Sequence, residues 1–75
     1  MILSELSKGQ KGRLKVRTTD LKDPNLKRLQ EIGFVDGAPI KLIEKGPFGS
    51  PLLFHICGTY IGIRAEEAAY FQVYE

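Results

Sequence analysis

Leu14 and Val16 alternate with Arg13, Lys15 and Arg17, the period-two signature of a strand with one face in a core and the other in water. The basic stripe is thereby aimed outward. Upstream, Leu3 and Leu6 share one side of a helical turn that stops at Gly9. Downstream the period lengthens: Leu26, Leu29 and Ile32 recur every third residue, which predicts a short amphipathic helix over about 24–32 with Lys27, Gln30 and Glu31 toward water. Asp23-Pro24 supplies a side-chain acceptor and a first-turn proline to start it. Gly33 supplies the residue tolerant of positive φ that ends it, and Asp36-Gly37 is a turn dipeptide that launches Pro39 to Ile43 as an extended run.

Lys45-Gly46-Pro47-Phe48-Gly49-Ser50-Pro51 is a loop bounded by proline and glycine with an aromatic at its centre, predicted as a stiff projecting turn. Leu52 to Cys57 and Tyr60 to Arg64 flank Gly58-Thr59, which reads as a two-residue hairpin with glycine first. That loop sets Ile56 opposite Ile61, Phe54 opposite Ile63, Cys57 opposite Tyr60, His55 opposite Gly62 and Leu53 opposite Arg64. Ala65 to Ala69 then form one helical turn. Tyr70 to Tyr74 close the sheet with Phe71 and Val73 inward. The pieces predict an all-β chain with short helical insertions: a five-stranded SH3-like small barrel, helix at about 24–32, helical turn at about 65–69, as a single domain over residues 1–75. Leu14, Val16, Ile40, Leu42, Phe54, Ile61 and Val73 are expected to fill its interior.

Composition narrows the function. A chain of 75 residues buries only about 60% of its unfolded surface, so its stability is on the order of a few kcal/mol. Neither a bilayer-spanning apolar run nor a secretion leader is visible, and the single cysteine suits a reducing compartment, so a cytoplasmic protein is expected. The net charge of +2 is too small to advertise nucleic-acid binding, but it is unevenly spread. Lys8, Lys11, Arg13, Lys15 and Arg17 face only Glu5, while the chain ends on Glu66, Glu67 and Glu75.

His55 and Cys57, two apart on an expected strand, share a face and are weak metal candidates, since structural zinc takes four ligands and catalytic zinc three. A filled barrel leaves no pocket for catalysis, and Gly-Pro-Phe-Gly-Ser lacks the lysine of a phosphate loop, so neither an enzyme nor a cofactor is expected. The surface signals are the Arg13, Lys15, Arg17 stripe, the helix flank with Lys27 and Arg28, and Phe48 on its stiff loop, where a ring binds with little ordering cost. Outward Tyr60, Tyr70 and Tyr74 add to these, and an exposed sheet edge leaves self-association open. The stripe supports two readings: docking on an acidic protein or headgroup surface, or a small-barrel nucleic-acid binder, which lacks interleaved stacking aromatics.

Four motifs in order, Leu3-x-x-Leu6-x-x-Gly9, Arg28-Leu29-x-x-x-Gly33-Phe34-x-x-Gly37, Pro47-x-Gly49-x-Pro51 and Ile61-Gly62-Ile63-Arg64-x-x-x-Ala68-x-x-Phe71-x-Val73, resemble the FeoA family. Gly62 stands where that family more often has a somewhat larger small residue. The resemblance implies an SH3-like barrel with an inserted helix, and an accessory protein of bacterial ferrous-iron uptake. The implied partner is the membrane transporter FeoB, through its cytosolic G-protein domain, with recruitment to the inner face of the plasma membrane. The same barrel is similar to the C-terminal domain of iron-dependent repressors of the diphtheria-toxin-repressor type.

Overall fold

In the computed structural model, residues 1–16 and 24–74 are described. Five strands, β1 (Lys11–Lys15), β2 (Pro39–Lys45), β3 (Leu52–Ile56), β4 (Thr59–Ile63) and β5 (Gln72–Val73), form one antiparallel sheet in the order β4-β3-β2-β1-β5. Two α-helices are inserted, α1 (Pro24–Ile32) and α2 (Ala65–Ala68), with 3-10 turns at Leu3–Glu5 and Pro47–Gly49. The expected fold class and both helix positions agree with this. The two outer strands are finished differently. β5 is covered on its far side by the N-terminal segment, where Ile2 bridges Gln72 and the Val73 N–H donates to the Met1 carbonyl at 2.7 Å. Among the described residues, β4 has no strand beyond it.

The helix corner follows from its glycine. Gly33, at φ 132°, donates to the Gln30 carbonyl and Phe34 to the Leu29 carbonyl, the paired bonds that satisfy the last carbonyls of a helix and reverse the chain. This reversal throws Phe34 into the centre of the molecule. Its ring is fully buried, edge-on to Phe54 at 6.4 Å and tilted against Phe71 at 5.5 Å between centroids. Leu3, Leu6, Leu14, Ile40, Leu42 and Leu52 close around the three rings, with Val16 and Ile61 half-buried against them.

Four expectations are corrected. The β3–β4 turn is Cys57-Gly58, not Gly58-Thr59. Both residues have positive φ, 50° and 75°, so the glycine fills the second place of a turn whose twist matches the strands. The register therefore slides by two: Phe54 faces Ile61, Leu52 faces Ile63, His55 faces Tyr60 and Leu53 faces Gly62. An even slide keeps the same side chains inward. Cys57 consequently leaves the strand and shares no strand face with His55. Ile32 is 41% exposed rather than packed on the barrel, because the helix ends there and only Leu26 and Leu29 reach the core. The closing strand is Gln72–Val73 alone, shorter than 70–74, since Tyr70 and Phe71 still turn off α2; Phe71 and Val73 are nonetheless buried as expected.

Candidate functional site

The loop between β2 and β3 is built to hold its shape. Gly46 donates to the Pro51 carbonyl at 2.7 Å, and Gly49 and Ser50 donate back to Gly46 and Pro47. A Cβ on Gly46 would lie 2.5 Å from the Ser50 carbonyl oxygen, so only glycine lets the loop's two ends approach. Ser50 Oγ then accepts the Ala65 N–H at 3.2 Å, tying the loop to the start of α2. At the tip, Phe48 has φ 60° and an exposure of 107%, more than in an open reference peptide. A non-glycine residue in that region costs about 1–2 kcal/mol. A large apolar ring gains nothing by standing in water.

The basic strand is held more closely than its sequence implies. Asp36 Oδ1 accepts the Val16 N–H at 3.0 Å and the Tyr74 hydroxyl at 2.8 Å. The Val16 bond foremost, then that of Tyr74, holds the Asp36 carboxyl below its usual range; the same carboxylate pushes Tyr74 up. Arg13 donates to the Gly37 carbonyl at 2.9 Å, and Lys15 Nζ lies 5.8 Å from the Tyr74 ring centre. Arg17 lies outside the described residues.

Cross-strand register adds residues that the stripe alone did not reveal. Lys11, Lys41, His55 and Tyr60 stand in one row across β1, β2, β3 and β4, with the His55 and Tyr60 rings 4.9 Å apart. Lys11, Pro39, Lys41 and His55 wall a shallow depression of about 250 Å3. Lys41 was missed because its strand reads as apolar, and only pairing places it beside Lys11.

The helix flank carries exposed Lys27 and Arg28. Between α1 and β4 runs a groove of about 290 Å3 lined by Arg28, Leu29, Ile32, Ile61, Gly62 and Glu67 among others. Glu67 is occupied by Arg64, accepting from its backbone N–H at 3.1 Å and its Nε at 3.3 Å. Arg28 makes no side-chain hydrogen bond or ion pair among the described residues.

These surfaces do not coincide. Arg13 faces Pro39 at the start of β2 and the Phe48 loop follows Lys45 at its end, a strand length of roughly 20 Å. Cys57 has a packing role: its Sγ rests 3.8 Å from the Gly33 carbonyl and fills the space where a Gly33 Cβ would lie, 2.8 Å away. Among the described residues, no three of His, Cys, Asp and Glu converge as a metal site would require.

The model of the FeoA domain matches residues 1–74. The FeoA of Stenotrophomonas maltophilia, a prokaryotic SH3 domain protein solved in complex with zinc, superimposes with a TM-score of 0.81 at 35% identity, over 97% of this chain and 88% of that one. The FeoA protein of Chlorobium tepidum gives 0.84 at 30% identity, over 97% and 68%. A manganese-dependent transcriptional repressor shares the fold alone, with 0.79 at 16% identity over 97% of this chain and 40% of the repressor. Comparison with curated proteins gives no match.

Proposed function

The chain belongs to the FeoA family of ferrous-iron transport, and on that premise we propose that it docks on the cytosolic G-protein domain of a FeoB-type transporter and modulates its activity or assembly. The observation that carries this reading is Phe48. The chain spends an unfavourable backbone conformation on holding a phenyl ring in water, and an aromatic anchor fixed in advance binds with little further loss of freedom. Arg13, Lys15, Lys27 and Arg28 lie on surfaces apart from Phe48, so their part is to steer encounter and make it salt-dependent more than to add affinity.

The test is calorimetric titration of the chain into the isolated cytosolic domain of the FeoB from the same cell, with and without guanine nucleotide, at low salt. Binding is expected, and Phe48→Ala is expected to weaken it by about 2 kcal/mol, roughly thirtyfold. Absence of heat and of co-elution, with both proteins folded, would overturn the reading.

A further inference from the structure

β4 is an edge strand of the sheet, bonded to β3 on one side only among the described residues. The tight Cys57-Gly58 turn makes Ile56 and Thr59 a bonded pair, and alternation along the antiparallel ladder then directs the N–H and C=O groups of Tyr60 and Gly62 away from β3. These groups have no partner among the described residues. Exposed edges of this kind are commonly blocked by charge, proline or a covering segment. β5 has its cover in Ile2, while β4 carries no charged residue and no proline, and has at Gly62 a position with open space where a Cβ would project. Glycine in a strand often marks close approach by another backbone.

The groove beside this edge specifies what would lie there. Its α1 wall presents Arg28 and Ile32, one turn apart, which is about 6 Å along the helix axis. Residues i and i+2 of an extended chain are about 6.8 Å apart on one face. We propose that the free edge of β4 receives an extended segment of a partner protein as an added strand, with an acidic side chain on Arg28 and an apolar one, two residues away, over Ile32 and Ile61.

Charge selects this occupant over a second copy of the chain. Thr59–Ile63 contains no acid, so pairing β4 with its own copy would leave Arg28 without a carboxylate from the added strand. Main-chain bonds to Tyr60 and Gly62 supply affinity, and the groove supplies selectivity. The site uses Arg28 and the β4 backbone but not Phe48, and it does not rest on the transporter reading.

The probes are an acetylated, amidated hexapeptide, Thr-Val-Thr-Glu-Thr-Val, which places valine, glutamate and valine on one face, and its counterpart with lysine for glutamate. Amide resonances of the isotope-labelled chain are followed during titration to millimolar peptide, together with hydrogen exchange. The glutamate peptide is expected to move the Arg28, Tyr60 and Gly62 signals and to slow exchange at the Tyr60 and Gly62 amides. The lysine peptide should bind roughly fivefold more weakly, and Arg28→Glu should invert that preference. Gly62→Pro should abolish binding with the fold retained, because the lost N–H is outside the ladder. Should that variant not fold, the charge inversion alone decides. No perturbation of β4 by either peptide would overturn the proposal. So would equal binding by both, binding indifferent to Gly62→Pro, or protection of Tyr60 and Gly62 that grows with protein concentration alone.

Discussion

The corner from Gly33 to Ala38 and the loop from Gly46 to Pro51 both bend the chain through positive φ, yet only one of them finds its reason inside the molecule. At the corner every unusual feature has an internal counterpart. Gly33 ends the helix and leaves room for Cys57, Gly37 donates to the Leu14 carbonyl, Asp36 ties Val16 to Tyr74, and Phe34 enters the core. In the loop, hydrogen bonds and Gly46 account for the base, and nothing internal accounts for Phe48. The contrast separates residues that stabilise the protein from one that is displayed by it. Six substitutions and a pH series break or sharpen it.

The largest effect belongs to Phe34→Ala. Removing a buried ring that touches two others should cost about 3–5 kcal/mol, most or all of what a chain of this size has. Urea or thermal denaturation followed by circular dichroism should show a chain largely unfolded at 37 °C. Phe48→Ala, an identical change of side chain, should leave the midpoint within experimental scatter. Equal losses at the two positions would abolish the distinction between core and display.

Gly33→Ala comes next, with an expected cost of about 1–3 kcal/mol. Two penalties combine there, positive φ and the 2.8 Å approach to Cys57 Sγ. They separate in a double-mutant cycle: in a Cys57→Ala background the clash is gone and only the backbone penalty is left. An unchanged cost in that background would show that the sulfur yields freely and that Cys57 is not packed as a stop against the corner.

Phe48→Gly should act in the opposite sense. Relief of the left-handed conformation, about 1–2 kcal/mol, exceeds the extra chain entropy of glycine, about 0.5–1 kcal/mol. A gain of about 0.5–1 kcal/mol is therefore expected by denaturant titration, accompanied by loss of binding to the transporter domain. A variant that is more stable and less competent would be the direct sign that this conformation serves contact. A destabilised Phe48→Gly would instead place the ring in an internal role.

How far the sequence discloses this division depends on how local each cause is. Period-two alternation in Arg13 to Arg17, the three-residue spacing of Leu26 and Leu29, and Gly33 as a helix stop are local, and they led to the correct fold class. The glycine and proline bracket around Phe48 is local too. Phe34 follows a glycine outside any periodic run, and its burial comes from a chain reversal that hydrophobic spacing does not encode. The hairpin register failed because Cys57 adopts positive φ, which no β-residue preference suggests. Lys41, the Tyr60 and Gly62 edge, and the groove beside Arg28 depend on which strands become neighbours. The stripe of Arg13 and Lys15 was legible, but not its attachment to Asp36 and Tyr74, which lie 23 and 61 positions beyond Arg13 in the chain.

That attachment gives the smallest expected effect, and one with a definite sign at each end of the pH scale. Asp36 is held below the ordinary aspartate range by the Val16 N–H and the Tyr74 hydroxyl. Its contribution is therefore complete above about pH 4, the unfolded value, and is lost as pH falls through the lower folded value. Tyr74 is raised above its ordinary value, chiefly by its bond to Asp36. Its contribution is complete below about pH 10 and is lost as pH rises through the folded value. Tyr74→Phe removes the shared bond, so the difference in melting temperature between wild type and variant should be flat from about pH 5 to 9 and shrink toward both extremes. Because both groups are exposed, the plateau should be small beside the effect at Phe34. A difference that instead grew at acid pH would mean that the Tyr74 hydroxyl does not favour the ionised carboxylate, and that it adds nothing to the bonds by which Arg13, Leu14 and Val16 join the corner to the basic strand.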